Sequence, residues 1–318
     1  MHTDVPREIA GSTALIRFDN VSKWYGNVIG LNNITLSIGP GVTGLLGPNG
    51  AGKSTFLQLV TGQLKPSKGT VHILGQIPWN NPGLYRHLGL CPEQDAFYEW
   101  MTGWQFIYAF AKLRGLTGTD AKEAARKAIE YVQLTDAQNR AIGGYSRGMR
   151  QRIKVAQSLV HQPKVIFLDE PFTGTDPVAR RQLMDIILKL ASEGKSIILS
   201  SHVLHEVQGL TQQIILINRG RLIAEGNLRD IRELIDKYPH RIVLIADQVR
   251  ELSAALVRHP DVQGITVQDK DSRVIAETKS PDLFYSRLPE LLQSQSLRVS
   301  ELYSEDDNLE AVFKYLTN

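Results

Sequence analysis

The sequence predicts an α/β chain: a parallel-sheet core with a small antiparallel β subdomain and a helical subdomain, followed by a small α+β domain. Three observations carry this. A strand pattern at 42–46 runs through a glycine-rich turn into a helical pattern at 54–62. Two apolar runs, 165–168 and 197–200, are separated by a helical pattern at 177–191, the layout of neighbouring parallel strands joined by a crossover. Beyond Pro239 the patterns follow the order strand, helix, two strands, helix, strand.

In chain order, residues 1–13 form a polar tail with Pro6 and Gly11, lacking the apolar stretch of an export signal. Alternating segments at 14–18 and 34–38 around Gly26 read as strands of the antiparallel sheet, and 70–74 as a further strand after Pro66 and Gly69. From 103 to 144 the spacing is helical, with Trp104, Ile107, Phe110 and Ala111 on one face, giving a helical subdomain over about 95–160. A run at 214–218 turns through Arg219-Gly220 into 221–225, and a helix is expected at 229–237. The domain boundary is set at 238/239. The second domain is expected as strand 241–246, helix 249–259, strands 264–268 and 273–277, helix 281–293, strand 297–302 and helix 308–316, a ferredoxin-like order with one helix appended.

Composition excludes several classes. With 318 residues, 42% hydrophobic, the chain can build two full cores, and 36 Lys and Arg against 33 Asp and Glu leave net charge +3, too balanced to indicate a nucleic-acid binder. No apolar run approaches the roughly 18 residues needed to cross a bilayer. The single cysteine, Cys91, rules out an internal disulfide and reads as a small buried apolar residue.

The octet Gly47, Pro48, Asn49, Gly50, Ala51, Gly52, Lys53, Ser54 fits G-x-x-x-x-G-K-[ST] between a strand and a helix, and Thr55 follows it. Glycines let the backbone wrap a phosphate, successive N–H groups form an anion nest, and the helix start adds partial positive charge. Lys53 would reach the β- and γ-phosphates and the Ser54 hydroxyl would ligate Mg²⁺. The run 165–168 ends in Asp169 and Glu170. Asp169 can hold Mg²⁺, and Glu170 is the candidate general base for hydrolysis. These features define a P-loop that takes a nucleoside triphosphate with Mg²⁺, and kinases, GTPases and motor ATPases all remain open on them.

Tyr145-Ser146-Arg147-Gly148-Met149-Arg150-Gln151-Arg152 separates the chain from other P-loop enzymes. It resembles the signature of the nucleotide-binding subunit of ATP-binding cassette (ABC) transporters, in the form of exporter-type and drug-resistance-type subunits; Ser146 and Gly148 match the common L-S-G-G-Q, while Tyr145, Arg147 and Met149 depart from it. The resemblance covers about 16–226 and implies the cassette fold. It implies further that Ser146 and Gly148 face the γ-phosphate of ATP on the opposite subunit, that Tyr25 stacks on adenine, and that His202, in Ser200-Ser201-His202, contacts the γ-phosphate. It also implies that Asp176 belongs to the dimer-contacting segment 174–176, where Thr175 replaces the usual leucine. In Cys91-Pro92-Glu93-Gln94-Asp95 it aligns Glu93 with the glutamine that contacts Mg²⁺, with Gln94 as the alternative. Residues 308–313 resemble the ending of C-terminal extensions in drug-export and antibiotic-resistance subunits.

The resemblance implies an ATPase that powers an exporter. The expected partners are transmembrane permease subunits and a second nucleotide-binding subunit, as homodimer or heterodimer, with no nucleic acid. The expected location is cytoplasmic, peripheral on the inner face of the membrane through the permease. Phe97, Tyr98, Trp100 and Met101 are either an anchor for that permease or ordinary core. The alternative function is a soluble, non-transport ABC ATPase acting on ribosome or DNA. Such relatives resemble tandem cassettes or carry long coiled coils, and this chain has one P-loop and no sustained heptads.

Overall fold

The structure is a computed structural model that describes residues 14–227, 239–268 and 272–304. It divides into two units, Met1–Glu225 and Gly226–Asn318. The expected tail 1–13, the helix at 229–237, and the terminal helix with its 308–313 motif lie outside the described residues.

In the first unit, β1 (Ile16–Tyr25), β2 (Val28–Ile38) and β4 (Lys68–Ile73) form an antiparallel sheet in the order β2-β1-β4. Both β1 and β2 run longer than the alternation suggests. The alternation is interrupted by register shifts between Phe18 and Trp24 and by the left-handed residues Asn20 and Asn33, which break the period-two pattern while pairing continues.

The second sheet has six strands in the order β5-β6-β7-β3-β8-β9: β3 (Val42–Leu46), β5 (Leu88–Cys91), β6 (Val165–Leu168), β7 (Ser196–Ser201), β8 (Gln213–Asn218) and β9 (Arg221–Asn227). β3, β5, β6 and β7 pair in parallel, as does β3 with β8. β5 does not stand out as a separate strand, because Leu88-Gly89-Leu90-Cys91 is broken by a glycine and lacks the unbroken β-branched and aromatic run of the equally short β6. α1 (Lys53–Val60) follows β3, and its Phe56 stacks on Phe18 of β1 with ring centroids 4.4 Å apart. One apolar core therefore joins the two sheets, running from Ile16 and Phe18 to Phe167, Ile198 and Ile217.

A short helix α2 (Pro82–Tyr85) precedes β5. The helical block follows as α3 (Gly103–Leu113), α4 (Gly118–Tyr131) and α5 (Arg147–Leu159). Thr102 and Gln105 cap α3 reciprocally, and Ser146 caps α5. The crossover from β6 to β7 is α6 (Pro177–Ser192), and α7 (Leu204–Gln208) follows β7.

The second unit has β10 (His240–Ile245), α8 (Val249–Val257), β11 (Gly264–Gln268), β12 (Arg273–Thr278), α9 (Pro281–Ser294) and β13 (Glu301–Ser304). Its sheet is antiparallel in the order β11-β12-β10-β13. The last strand begins four residues later than expected. Ser296 takes a left-handed conformation that closes α9, and Leu297 tucks under the helix, its N–H donating to the Leu292 carbonyl, so pairing with β10 starts only at Glu301. Among the described residues no helix is long and apolar enough to cross a membrane.

Candidate active site

The turn between β3 and α1 gathers backbone donors. Gly52 has φ +109°, and a Cβ there would sit 2.6 Å from the Gly30 carbonyl, so only glycine fits. No side chain caps α1 and its first turn carries no acid, which leaves its opening N–H groups for an anion. Lys53 is buried. Its ammonium donates to the carbonyls of Gly47 (2.7 Å) and Pro48 (3.3 Å) and lies 3.0 Å from Glu170 Oε1. An ammonium has three N–H groups, so engaging a phosphate requires releasing one of these partners.

Glu170 is buried between two cations or potential cations: Oε1 pairs with Lys53, and Oε2 lies 2.9 Å from His202 Nδ1. Oε1 has no aligned hydrogen-bond donor beyond that ion pair. Lys53, Glu170 and His202, expected from three separate segments, are thus brought into one chain of contacts. Glu170 adopts φ +47°, turning the chain out of β6. Asp169 is fixed on both sides: its N–H donates to the Cys91 carbonyl, and its Oδ1 accepts from Ser200 Oγ at 2.6 Å. The Cys91 thiol, fully buried, is pushed up to about 12 by burial, so it stays protonated and chemically quiet.

Among the described residues, no cluster of three or more His, Cys, Asp or Glu could hold a metal ion alone. The Ser54 hydroxyl and the Asp169 carboxylate are oxygen donors, few in number, and this set fits Mg²⁺, which retains waters and shares phosphate oxygens. The Glu93 carboxylate is exposed and has no hydrogen-bond or ion-pair partner among the described residues. Gln94 is likewise exposed.

Tyr25 is 44% exposed, with its hydroxyl 3.3 Å from Thr55 Oγ1, so its ring flanks the loop-helix junction. Ser146 accepts the Met149 N–H at 3.3 Å, and Asp176 caps α6 by accepting the Ala179 N–H at 2.9 Å. A Cβ on Gly148 would collide with the Ala179 methyl, so this glycine also lets α5 approach the start of α6. Of the aromatic group, Phe97 packs edge-on against Phe106, whereas Tyr98 (64%) and Trp100 (74%) are exposed.

Two residues without an assigned role stand out. Ser200, fully buried, bridges the acid pair. Lys154 of α5, also buried, donates to the carbonyls of Pro92 (3.1 Å) and Glu93 (2.8 Å) and pairs with Asp95 at 2.9 Å. One turn earlier on α5, Arg150 bonds Glu99 at 3.0 Å. The sequence signal for Lys154 was its neighbours: Ile153, Val155 and Ala156 are all core residues, an unusual setting for a lysine.

A family profile described as ABC transporter matches residues 31–173. The chain is similar to an uncharacterized ABC transporter ATP-binding protein of Bacillus subtilis, YxlF, at 30% identity over 94% of this chain and 98% of the relative. It is similar to the daunorubicin/doxorubicin resistance ATP-binding protein DrrA of Streptomyces peucetius, at 32% identity over 96% of this chain and 93% of that protein. The bacitracin transport ATP-binding protein BcrA of Enterococcus faecalis is 31% identical over 95% of this chain and 96% of its own length. Among solved structures, an ATP-binding subunit of an ABC transporter superposes with TM-score 0.62 and 26% identity, covering 70% of this chain and 93% of that one.

Proposed function

The chain belongs to the ABC transporter family as an ATP-hydrolysing subunit, and from that premise we propose how its residues drive a separate permease. The observation that carries the reading is the Lys53–Glu170–His202 chain of contacts beside the glycine-rich loop. It stands in a chain similar along nearly its whole length to resistance-type ATP-binding proteins.

Lys53 and the loop N–H groups bind the β- and γ-phosphates, while Tyr25 stacks on the adenine. Ser54 and Asp169 would hold Mg²⁺, with Glu93 as the third candidate ligand, and the bound ion would supply neutralisation of the phosphate charge. Once Lys53 turns to a phosphate, Glu170 Oε1 is released to accept the proton of the attacking water. His202 fixes the other carboxylate oxygen. Two subunits close head-to-tail, so that Ser146 and Gly148 of one complete the site of the other and Asp176 lies at the contact between them. ATP binding closes the pair and hydrolysis reopens it.

Exposed Tyr98 and Trp100 supply the permease contact and, through it, a peripheral location on the cytoplasmic membrane face. The β-α-β-β-α-β unit is a ferredoxin-like accessory domain. The test is coupling. The chain is purified with its co-purifying membrane partner in lipid, and ATP turnover is compared with and without that partner. Stimulation supports the reading, and turnover indifferent to the partner across detergents and lipids overturns it.

A further inference from the structure

Ser200 touches both acids. It is the fifth residue of β7, whose parallel register sets Leu199 beside Leu168, so that Ser200 lies next to Asp169 just past the end of β6. Its side chain is entirely removed from solvent. A serine hydroxyl has one proton and two lone pairs. Here the proton goes to Asp169 Oδ1 at 2.6 Å, and a lone pair accepts the Glu170 N–H at 2.8 Å. Glu170 needs that acceptor. It lies beyond the end of β6, where its N–H donates to the Ser200 hydroxyl instead of a ladder carbonyl, and a buried donor left without a partner is costly. Two residues further along, His202 holds the Glu170 carboxylate. The end of β7 therefore grips Glu170 at its backbone and its side chain, and the same serine fixes the direction of Asp169.

We infer that Ser200 is a positioning residue that sets the carboxylate of Asp169 and the backbone of Glu170 through a single bridging hydroxyl. This rests on the proposed ATPase function of the same site. The required feature is the hydroxyl and not the volume: alanine or valine leaves both the Asp169 oxygen and the Glu170 N–H without their partner, whereas threonine retains the bridge.

The experiment uses the full chain with Ser200→Ala, Ser200→Thr and Ser200→Val, each checked for a cooperative thermal melt. Steady-state ATP hydrolysis is measured beside Mn²⁺ binding, read by electron paramagnetic resonance with a non-hydrolysable ATP analogue. Ser200→Ala is expected to lower kcat and Mn²⁺ affinity each by about 10- to 100-fold, the usual consequence of losing an outer partner of a metal ligand, while KM for ATP stays within about twofold. Ser200→Thr is expected to restore both. Should Ser200→Ala not fold, the threonine and valine variants, equal in shape, carry the comparison. Equal kcat and equal Mn²⁺ affinity in that pair, or an alanine variant matching the parent in both, overturns the inference. A parent that binds the analogue but hydrolyses no ATP overturns the proposed function itself, and this assignment with it.

Discussion

Lys53 Nζ and Glu170 Oε1 lie 3.0 Å apart with both side chains buried, so the candidate phosphate ligand and the candidate base neutralise each other directly. Their substitutions should consequently differ in kind. Glu170→Gln preserves shape and leaves Lys53 its two carbonyl partners. ATP binding should persist while turnover falls about 10²- to 10⁴-fold, the range for loss of a general base. Turnover at the parental rate in a steady-state phosphate-release assay would show that Glu170 is not the base.

Lys53→Ala instead removes the cation and strands a buried carboxylate. Nucleotide binding should be lost, and unfolding free energy should fall by about 3–5 kcal/mol, as when one member of a buried ion pair is deleted. Isothermal titration with ATP and a denaturant melt measure the two effects independently.

Gly148→Ala would normally favour a helix, but here the added methyl meets Ala179. Overpacking should cost about 1–3 kcal/mol. The double variant Gly148→Ala/Ala179→Gly should recover the melting temperature, yet its ATP turnover should remain below the parent if Gly148 faces nucleotide. Full recovery of turnover would confine Gly148 to packing.

Lys154 joins the helix that begins at the signature to the loop holding Glu93. Lys154→Met should destabilise the chain by about 1–3 kcal/mol, because the Pro92 and Glu93 carbonyls lose their donor. Asp95→Asn should cost less than about 1 kcal/mol, since Asp95 is the exposed partner of the pair and asparagine keeps a carbonyl oxygen that can accept from Lys154. Urea denaturation of both variants checks the ordering, and an equal loss would mean that the ion pair, not the carbonyl bonds, dominates.

His161 gives a pH dependence. Its Nε2 lies 2.9 Å from the Leu88 carbonyl and so must carry the hydrogen, leaving Nδ1 buried without a partner. Burial, helped by the nearby Arg114 charge, pushes its pKa down to about 4 from 6.5. Protonation therefore favours the unfolded chain: the folded state is fully stable with respect to this group above pH 6.5 and loses stability as pH falls from there toward 4. His161→Gln should flatten that slope in denaturant melts taken across the window. An unchanged slope would exclude His161 as its source.

Much of this site was legible in the chain. The octet 47–54, the acid pair closing an apolar run, and Ser146 at a helix start are local patterns, and the structure keeps β3 and β6 at the predicted residues. What stayed hidden had physical reasons. β5 is broken by Gly89, β1 is interrupted by irregular pairing, and Leu297 is apolar because it packs under α9 rather than because it lies in a strand. Lys154 shows in the sequence only through its apolar neighbours in a helix rich in arginine, and its partners Pro92, Glu93 and Asp95 come from the fold.

By itself the sequence picked out the candidates for the chemistry, the residues able to wrap a phosphate, hold a hard cation or take a proton, because each candidacy depends on residue type at short spacing. The tertiary structure alone decided their partnerships. Asp169 meets Ser200, and Glu170 meets Lys53 and His202, because parallel strands distant in sequence end side by side. In that water-poor setting a hydroxyl or an ammonium must satisfy whichever neighbours the register supplies.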